Sequence, residues 1–314
     1  MNKKSRVLIV GHEEIIAASL YQHFKSNGFT YVYFSPQIAL DVLSQSAVQY
    51  FFDKERPEYV FLASIRSGGI TANQKFAAEF IYENLQVQNN IIHAAYQYGV
   101  RKFMFFASSC VYPKECPQPM KEESLLTGPL ENTNEPYAVA KIAGIKLCQA
   151  YKKQYGFNTT VAIPATVYGP GSETDLETAH VMGALIGKFS TAKQKGEKEV
   201  VVWGTGNPRR EFLFVDDFVA ASLFLMERDQ SAEMINIGDG YDVSIKELSE
   251  TIKKVSGFQG RIVFDATKPD GMIRKWMDNS RLKQLGWRPK VELTEGIQKT
   301  YDWFVNHKTM ELVK

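Results

Sequence analysis

The residue types best suited to chemistry in this chain are a tyrosine and a lysine four positions apart, Tyr137 and Lys141, and two upstream serines, Ser108 and Ser109. Residues at i and i+4 of a helix share a face, so the lysine ammonium would lie beside the tyrosine phenol. A nearby ammonium lowers the pKa of a phenol, and a serine hydroxyl beside it could hold a carbonyl oxygen. Together these groups predict a proton donor for the reduction of a carbonyl group.

The position of the serines supports this interpretation. Tyrosine and lysine at this spacing also occur by chance on solvated helix faces, and the chain has 15 tyrosines. Ser108, however, directly follows the apolar run 103–107, which has the form of a buried strand. Open α/β sheets bind their ligands at the carboxyl ends of such strands. The combination therefore favours a catalytic site over a coincidence of spacing.

Apolar runs supply the sheet that would position these residues. They lie at 7–10, 31–34, 59–63, 103–107 and 160–163. Continuous apolar runs are typical of parallel strands buried on both faces. Stretches of helix length with apolar residues at three-and-four spacing separate the runs, for example 76–98. This alternation predicts an α/β fold with a Rossmann-like doubly wound parallel sheet.

The alternation breaks after residue 170, which indicates a second unit. We expect residues 1–170 to form a Rossmann domain of the dinucleotide-binding type, with a return segment near 212–240. Residues 171–211 and 241–314 would then form a smaller C-terminal domain that binds the substrate.

Composition and charge narrow the function classes. The 37 Lys and Arg against 35 Asp and Glu give a formal charge of +2, so we expect no nucleic-acid partner. With 44% hydrophobic residues, the chain can bury a large core without a disulfide or a metal. Cys110, Cys116 and Cys148 lack a metal-ligand spacing, and no apolar run is long enough to cross a membrane. We therefore expect a cytoplasmic protein with neither a metal site nor a membrane contact.

Several longer segments carry a resemblance to a known family. They are Ser67-Gly68-Gly69-Ile70, Phe80-Ile81-Tyr82-Glu83-Asn84, Ser108-Ser109-Cys110-Val111-Tyr112-Pro113, Asn134-Glu135-Pro136-Tyr137-Ala138, Lys141-Ile142-Ala143-Gly144, Trp203-Gly204-Thr205-Gly206, Arg210-Glu211-Phe212-Leu213 and Lys268-Pro269-Asp270-Gly271. Through these segments the chain resembles the extended short-chain dehydrogenase/reductases over nearly its whole length. Within that family it looks like the GDP-L-fucose synthases, which are GDP-4-keto-6-deoxymannose 3,5-epimerase/4-reductases.

The resemblance implies a role for each matching residue. Ser108, Tyr137 and Lys141 would form the reductase triad, with the lysine also orienting the ribose of a nicotinamide cofactor. Cys110 and His180 would be the acid and base that move protons at C-3 and C-5 of the keto sugar, since inversion needs one group on each face. The implied nucleotide-sugar contacts are Lys188, Trp203, Arg210, Asp270 and Lys275. The implied cofactor contacts are Gly11, Ala17, Ala107, Tyr137, Lys141, Pro164, Val167 and His180.

The same resemblance implies the ligands and the reaction. We expect a GDP-4-keto-6-deoxy sugar that is epimerised at C-3 and C-5 and reduced at C-4, giving GDP-L-fucose or a related GDP-deoxy sugar. NADPH is the implied cofactor, with NADH as the alternative, and a homodimer is the assembly expected by analogy. Two other functions stay open. One is a reductase of a related GDP-4-keto hexose or heptose without epimerase activity, and the other is a pseudoenzyme or partner subunit that binds the nucleotide sugar but no dinucleotide.

The pseudoenzyme alternative depends on the turn after the first strand. Relatives carry Gly-x-x-Gly-x-x-Gly there, and the second glycine lets the backbone approach the pyrophosphate. Here only Gly11 is present, with Glu14 and Ala17 at the other two positions and Glu13 in place of an arginine that relatives direct at the 2′-phosphate. A carboxylate at this helix N-terminus opposes phosphate binding, although it also complements the helix dipole. The segment 34–37 likewise has no basic residue to distinguish NADP from NAD.

Overall fold

The computed structural model describes residues 1–12, 15–63, 65–172, 179–228, 234–268 and 270–311. The strands are β1 (Arg6–Val10), β2 (Tyr31–Phe34), β3 (Tyr59–Leu62), β4 (Lys102–Phe106), β5 (Thr159–Pro164), β6 (Thr166–Tyr168), β7 (Glu199–Trp203), β8 (Arg209–Arg210), β9 (Phe212–Phe214), β10 (Met234–Ile237), β11 (Val243–Ser244), β12 (Arg261–Asp265) and β13 (Arg274–Lys275). The helices are α1 (Ile15–Ser26), α2 (Gln45–Glu55), α3 (Ile70–Lys75), α4 (Ala77–Gln97), α5 (Glu135–Tyr155), α6 (Val181–Lys195), α7 (Val215–Met226), α8 (Ile245–Ser256), α9 (Ser280–Gln284) and α10 (Leu293–Glu311).

The largest sheet has six strands in the order β10-β5-β4-β3-β1-β2, and every neighbouring pair is parallel. Strands β1 to β5 coincide with the apolar runs predicted from the sequence, and their bounds differ by at most one residue. Every residue of β4 and β5 is buried, as expected for strands covered by helices on both faces. The prediction of an α/β fold with a doubly wound parallel sheet is confirmed.

The carboxyl end of β1 lies at the point where the sheet changes its direction of winding. The chain leaves β1 towards β2 on one side and returns to β3 on the other. The N–H of Gly11, just after β1, donates to Ser35 Oγ at 3.1 Å, and that hydroxyl donates to Gly11 O at 2.9 Å. Because Ser35 follows β2, this pair of bonds ties the two strand ends together beside the crevice where such sheets bind ligands.

A second apolar core lies outside the sheet. It is formed mainly by α6, α8 and α10 with β7 and β9, and includes Phe189, Leu248 and Ile297. The smaller sheets are β12-β7, β6-β9 and β11-β8-β13. Helix α7 and strand β10, which lie between β9 and β11 in the chain, pack into the main core. Met277 after β13 and Leu282 in α9 also belong to the main core. The two cores support a division into two domains, whose residue bounds we keep as a proposal.

Helix α5 packs unusually closely on the sheet at Gly144. A Cβ at this position would lie 2.3 Å from Cζ of Phe105 in β4 and 2.6 Å from Oε1 of Gln88 in α4. Only glycine fits there without a shift of its neighbours. The close approach holds the N-terminal half of α5 against the carboxyl end of β4.

Candidate active site

Ser108 and Cys110 leave the carboxyl end of β4 in a short 3₁₀ turn that spans Ser109–Val111. Ser108 Oγ accepts the N–H of Cys110 at 3.4 Å, which closes the turn. The serine is half-buried and the cysteine is buried. A hydroxyl and a thiol therefore lie side by side at the edge of the sheet where ligands bind.

Tyr137 and Lys141 lie one turn apart near the start of α5, where Pro136 occupies a first-turn position that suits proline. Lys141 is 1% exposed, and its Nζ donates to Phe106 O at 2.9 Å. The same ammonium lies 5.8 Å from the centre of the Tyr137 ring. Since Phe106 ends β4 two residues before Ser108, this hydrogen bond brings the lysine, the phenol and the serine to one place.

The charge of Lys275 acts on both Cys110 and His180. Burial raises the pKa of the Cys110 thiol, and the charge of Lys275 acts in the opposite direction. His180 immediately precedes α6 and is reached by solvent, yet the surrounding protein desolvates it and lowers its pKa, with repulsion from Lys275 as a second cause. Both environments favour the neutral forms. The thiol then keeps a transferable proton and the imidazole keeps a free acceptor nitrogen, which is the arrangement an acid–base pair needs.

Arg210 and Lys275 lie directly opposite each other on β8 and β13. Arg210 Nη1 donates to the carbonyl oxygens of Arg209 at 2.8 Å and Met272 at 2.6 Å, so its guanidinium is fixed in place. Burial lowers the pKa of Arg210, which Asp270 partly offsets, and burial also lowers that of Lys275, with repulsion from Arg210 as a smaller cause. Opposed like charges destabilise a strand pair. This position therefore favours an anionic ligand that would neutralise both cations.

Trp203 forms an exposed aromatic surface at the end of β7. Its side chain is 61% exposed, although large apolar side chains are usually covered. Lys188 and Lys268 place their Nζ atoms 5.1 Å and 5.5 Å from the ring centre, and Lys188 Nζ also donates to Val201 O at 2.9 Å. An open aromatic face flanked by two ammonium groups can stack a nucleobase and attract a phosphate.

Asp270 holds the turn that follows Trp203. Its two carboxylate oxygens accept the N–H of Thr205 at 2.9 Å and the hydroxyl of Thr205 at 2.6 Å. Gly204, which lies between Trp203 and Thr205, has a φ of +83°, and a Cβ there would lie 2.3 Å from Asp270 Oδ1. The carboxylate therefore has a structural task in this turn, and its charge also acts on Arg210.

Of the residues predicted to contact a dinucleotide, Gly11, Ala107 and Pro164 lie at the carboxyl ends of β1, β4 and β5 in the main sheet. Tyr137 and Lys141 lie in α5, Ala17 in α1, Val167 in β6 and His180 just before α6. Ala17 and Ala107 are small and buried, so the strand ends carry little bulk. These small residues at the strand ends, together with the ammonium of Lys141, could hold a nicotinamide dinucleotide. Glu13 and Glu14 lie outside the described residues.

In the part of the chain that the structure describes, no three or more His, Cys, Asp or Glu side chains come together as a metal-binding group. No helix in the same ranges combines the length and apolar character needed to cross a bilayer.

Comparison with known proteins identifies the family. The sequence model of the NAD dependent epimerase/dehydratase family matches residues 7–238, from β1 to the end of the main sheet. The chain belongs to this family. The matched range includes Ser108, Tyr137 and Lys141, and it also includes Cys110 and His180.

Relatives within the epimerase/dehydratase family resemble the chain along its whole length. It is 50% identical over 307 residues to a probable GDP-L-fucose synthase 1 of Oryza sativa subsp. japonica, covering 98% of this chain and 94% of that one. It is 44% identical over 314 residues to the GDP-L-fucose synthase of Escherichia coli strain K12, covering 97% and 98%. A solved GDP-mannoheptose C4 reductase from Campylobacter jejuni, with NADP bound, is 36% identical with a TM-score of 0.88 and coverage of 97% and 99%.

The structure also shows buried polar residues that the sequence did not single out. Glu211 is 2% exposed, and its carboxylate accepts the N–H of Gly240 at 2.7 Å and of Met277 at 2.9 Å, while burial raises its pKa to about 7. Tyr112 and Asn236 form a second buried hydrogen bond near Cys110. Tyr112 and Glu211 lie within segments that carry the family resemblance, and this was the one sequence feature that could have indicated their importance. Their burial depends on distant parts of the chain and could not be deduced from local sequence.

Proposed function

We propose that the chain is an NAD(P)H-dependent epimerase/reductase of a GDP-4-keto-6-deoxy sugar, and that it forms GDP-L-fucose or a related GDP-deoxy sugar. The observation that carries the proposal is the opposed pair Arg210 and Lys275, whose second member also acts on the Cys110 thiol. A cationic pair that can hold a diphosphate thus lies near a thiol suited to proton transfer beside a ketone. The similarity to proteins named as GDP-L-fucose synthases supports the same substrate class.

In the reduction step, Ser108 and Tyr137 act on the oxygen of the C-4 ketone. The serine hydroxyl donates a hydrogen bond to that oxygen, and the phenol donates the proton that the product alcohol requires. Lys141 favours loss of the phenolic proton through its positive charge, and its hydrogen bond to Phe106 O keeps it beside the ring. The nicotinamide dinucleotide, when bound, supplies the hydride to C-4.

In the epimerisation steps, the same hydroxyl groups hold the ketone and make the protons at C-3 and C-5 acidic. Cys110 and His180 then exchange protons with these carbons, one taking a proton as the other gives one. Before the substrate binds, the charge of Lys275 opposes the rise that burial causes in the pKa of the Cys110 thiol.

We assign the remaining site residues to the nucleotide part of the substrate. Arg210, Lys275 and Lys188 would bind the diphosphate, and the exposed face of Trp203 would stack on the guanine or cover the ribose. Asp270 would keep the turn after Trp203 in place through its two bonds to Thr205.

The cofactor is a nicotinamide dinucleotide, in keeping with the family and with the NADP-bound relative. We propose NADPH as the preferred form, on the strength of the resemblance. The absence of a basic residue in the segment 34–37 argues for a smaller preference than is usual where arginines bind the 2′-phosphate. Comparing kcat/KM for NADPH and NADH tests this point, and a higher value for NADH would overturn it.

The central experiment mixes purified protein with GDP-4-keto-6-deoxymannose and either NADPH or NADH. We expect dinucleotide oxidation and formation of GDP-L-fucose or a stereoisomer. Failure to oxidise either dinucleotide would refute the proposed activity. Calorimetric titration with each dinucleotide then addresses the pseudoenzyme alternative suggested by Glu13 and Glu14, because micromolar binding would exclude it.

A reductase without epimerase activity is the second candidate. The similarity to a GDP-mannoheptose C4 reductase favours it, since that protein covers nearly the whole chain. Incubation of the keto sugar in D₂O separates the two functions. Deuterium at C-3 and C-5 supports the epimerase/reductase, and reduction without deuterium at either carbon supports the reductase.

The assembly is proposed to be a homodimer formed through α4 and α5. These packed helices expose apolar side chains, with Tyr82 64% and Val139 40% exposed. Analytical ultracentrifugation tests the proposal, and a monomer at micromolar concentration would contradict it. The cytoplasmic location stays a prediction.

A further inference from the structure

Tyr112, Glu122 and Asn236 form a buried polar cluster near the candidate site, which we call the polar hub. All three residues are at most 3% exposed. The Tyr112 hydroxyl donates to Asn236 Oδ1 at 2.6 Å, and the backbone N–H of Asn236 donates to Glu122 Oε1 at 3.0 Å. Buried polar groups are costly unless they are paired, so these bonds specify one arrangement of the segments that carry them.

The side-chain amide of Asn236 extends the hub to two further segments. Its Nδ2 donates to the carbonyl oxygens of Met120 at 3.0 Å and Asp278 at 2.9 Å. Both donors and the acceptor of the amide are therefore engaged, and a flipped amide would lose its bonds to both carbonyl oxygens and to the Tyr112 hydroxyl. Asn236 thus fixes Tyr112, Met120 and Asp278 relative to β10.

These segments lead directly to two residues of the site. Tyr112 follows Cys110 by two positions, and Asp278 follows Lys275 by three positions. Met120 joins the second segment by backbone bonds, since its N–H donates to Trp276 O and its carbonyl accepts the N–H of Asp278, each at 2.8 Å. The hub therefore connects the turn of Cys110 with the strand of Lys275 through hydrogen bonds.

We propose that Tyr112 and Asn236 are positioning residues that set the Cys110 thiol relative to Lys275, and so control proton movement at C-3 and C-5 separately from the reaction at C-4. This inference rests on the proposed function. Tyr137 and Lys141 belong to α5, which is anchored to β4 by the separate bond to Phe106 O. A shift in the hub therefore displaces Cys110, which lies two positions from Tyr112, more than Ser108 next to the end of β4 or the phenol on α5.

The test compares two reactions of Tyr112→Phe. The first is deuterium uptake at C-3 and C-5 of GDP-4-keto-6-deoxymannose in D₂O without a dinucleotide. The second is oxidation of GDP-L-fucose by NADP⁺, which needs Tyr137 but no proton transfer at C-3 or C-5. Tyr151→Phe is the matched control, because it removes a hydroxyl 2.7 Å from His93 Nδ1 at the other end of α5.

We expect the ratio of deuterium uptake to oxidation to fall about ten- to a hundred-fold in Tyr112→Phe, the scale expected for a displacement of about 1 Å, and to stay unchanged in Tyr151→Phe. An unchanged ratio in folded Tyr112→Phe, or an equal fall of both rates, would overturn the proposal. If this variant does not fold, the ratio is measured in Asn236→Asp, which keeps an acceptor for the Tyr112 hydroxyl but loses the amide donor to Met120 O and Asp278 O. A lower ratio there supports the proposal and an unchanged ratio overturns it. Absence of both reactions in the unmodified protein would instead contradict the proposed function.

Discussion

Replacing Gly144 by alanine should damage catalysis more than stability, because this glycine sets how closely α5 approaches β4. The new Cβ would lie 2.3 Å from Cζ of Phe105, whereas ordinary contacts begin at 3.4 Å, so the helix or the ring must move by about 1 Å. Lys141 lies one turn earlier on the same helix. Its 2.9 Å bond to Phe106 O and its position beside Tyr137 both depend on where α5 lies.

The magnitudes differ for stability and for rate. Overpacking of a filled core costs about 1–3 kcal/mol, and the better helix propensity of alanine recovers about 1 kcal/mol. The free energy of unfolding should therefore fall by no more than about 2 kcal/mol. A displacement of reacting groups by about 1 Å, in contrast, can lower a rate about 100-fold. We expect a folded protein whose reduction rate falls by about that factor.

Urea denaturation measures the stability of Gly144→Ala, and NADPH oxidation with GDP-4-keto-6-deoxymannose measures the rate. Calorimetric binding of a GDP-sugar serves as a control, since the residues proposed to bind the nucleotide lie outside α5. Phe105→Leu removes the ring atoms that the new methyl would meet and leaves the approach to Gln88 Oε1 at 2.6 Å. Adding Phe105→Leu to Gly144→Ala should therefore restore part of the lost rate relative to Phe105→Leu alone. Wild-type stability and rate in Gly144→Ala would refute the close packing, and a loss that Phe105→Leu does not relieve would exclude the contact with the Phe105 ring as its origin.

Three further predictions concern single groups of the site. Tyr137→Phe should abolish NADPH oxidation and leave GDP-sugar binding intact by calorimetry; retained oxidation would remove the phenol from the proposed mechanism. Cys110→Ser should slow deuterium uptake from D₂O while reduction of an already epimerised ketone continues; unchanged uptake would exclude the thiol as acid or base. Burial raises the pKa of Glu211 from 4.5 to about 7, so its contribution to stability is complete below pH 4.5 and is lost as the pH rises through 7, by about 3 kcal/mol. Urea denaturation of Glu211→Gln at about pH 5 and pH 8 should show it becoming more stable relative to wild type as the pH rises; a constant difference would contradict the shifted pKa.

The main sheet could be predicted from sequence because its strands are buried on both faces. Such strands need apolar residues in succession, and the runs at 7–10 and 103–107 are visible in the local sequence. The sheet β11-β8-β13 gave no comparable signal, since each of its strands has two residues and so shows no periodicity. Its pairing joins segments that are far apart in the chain, such as those that carry Arg210 and Lys275.

The candidate site likewise has some features that local sequence predicts and others that depend on distant segments. The spacing of Tyr137 and Lys141 indicated a shared helix face, because helix geometry relates positions four residues apart. The opposition of Arg210 and Lys275, the desolvation of His180 and the hydrogen bonds of Asn236 arise only when distant segments meet. The family resemblance identified Arg210, Lys275 and His180 as members of the site, but it did not indicate the electrostatic interactions between them. For Asn236 the resemblance gave no indication.

The opposed cations also relate substrate binding to the acid–base pair. Burial raises the pKa of the Cys110 thiol and lowers that of the His180 imidazole, and the charge of Lys275 opposes the first shift and adds to the second. A diphosphate between Arg210 and Lys275 would reduce the positive potential at both groups, so both pKa values would rise. The thiol would then hold its proton more firmly, and the imidazole would become a stronger base. Binding of the nucleotide would therefore adjust the two groups before the ketone reaches them, and a sugar without the diphosphate would lose this adjustment as well as the binding contacts.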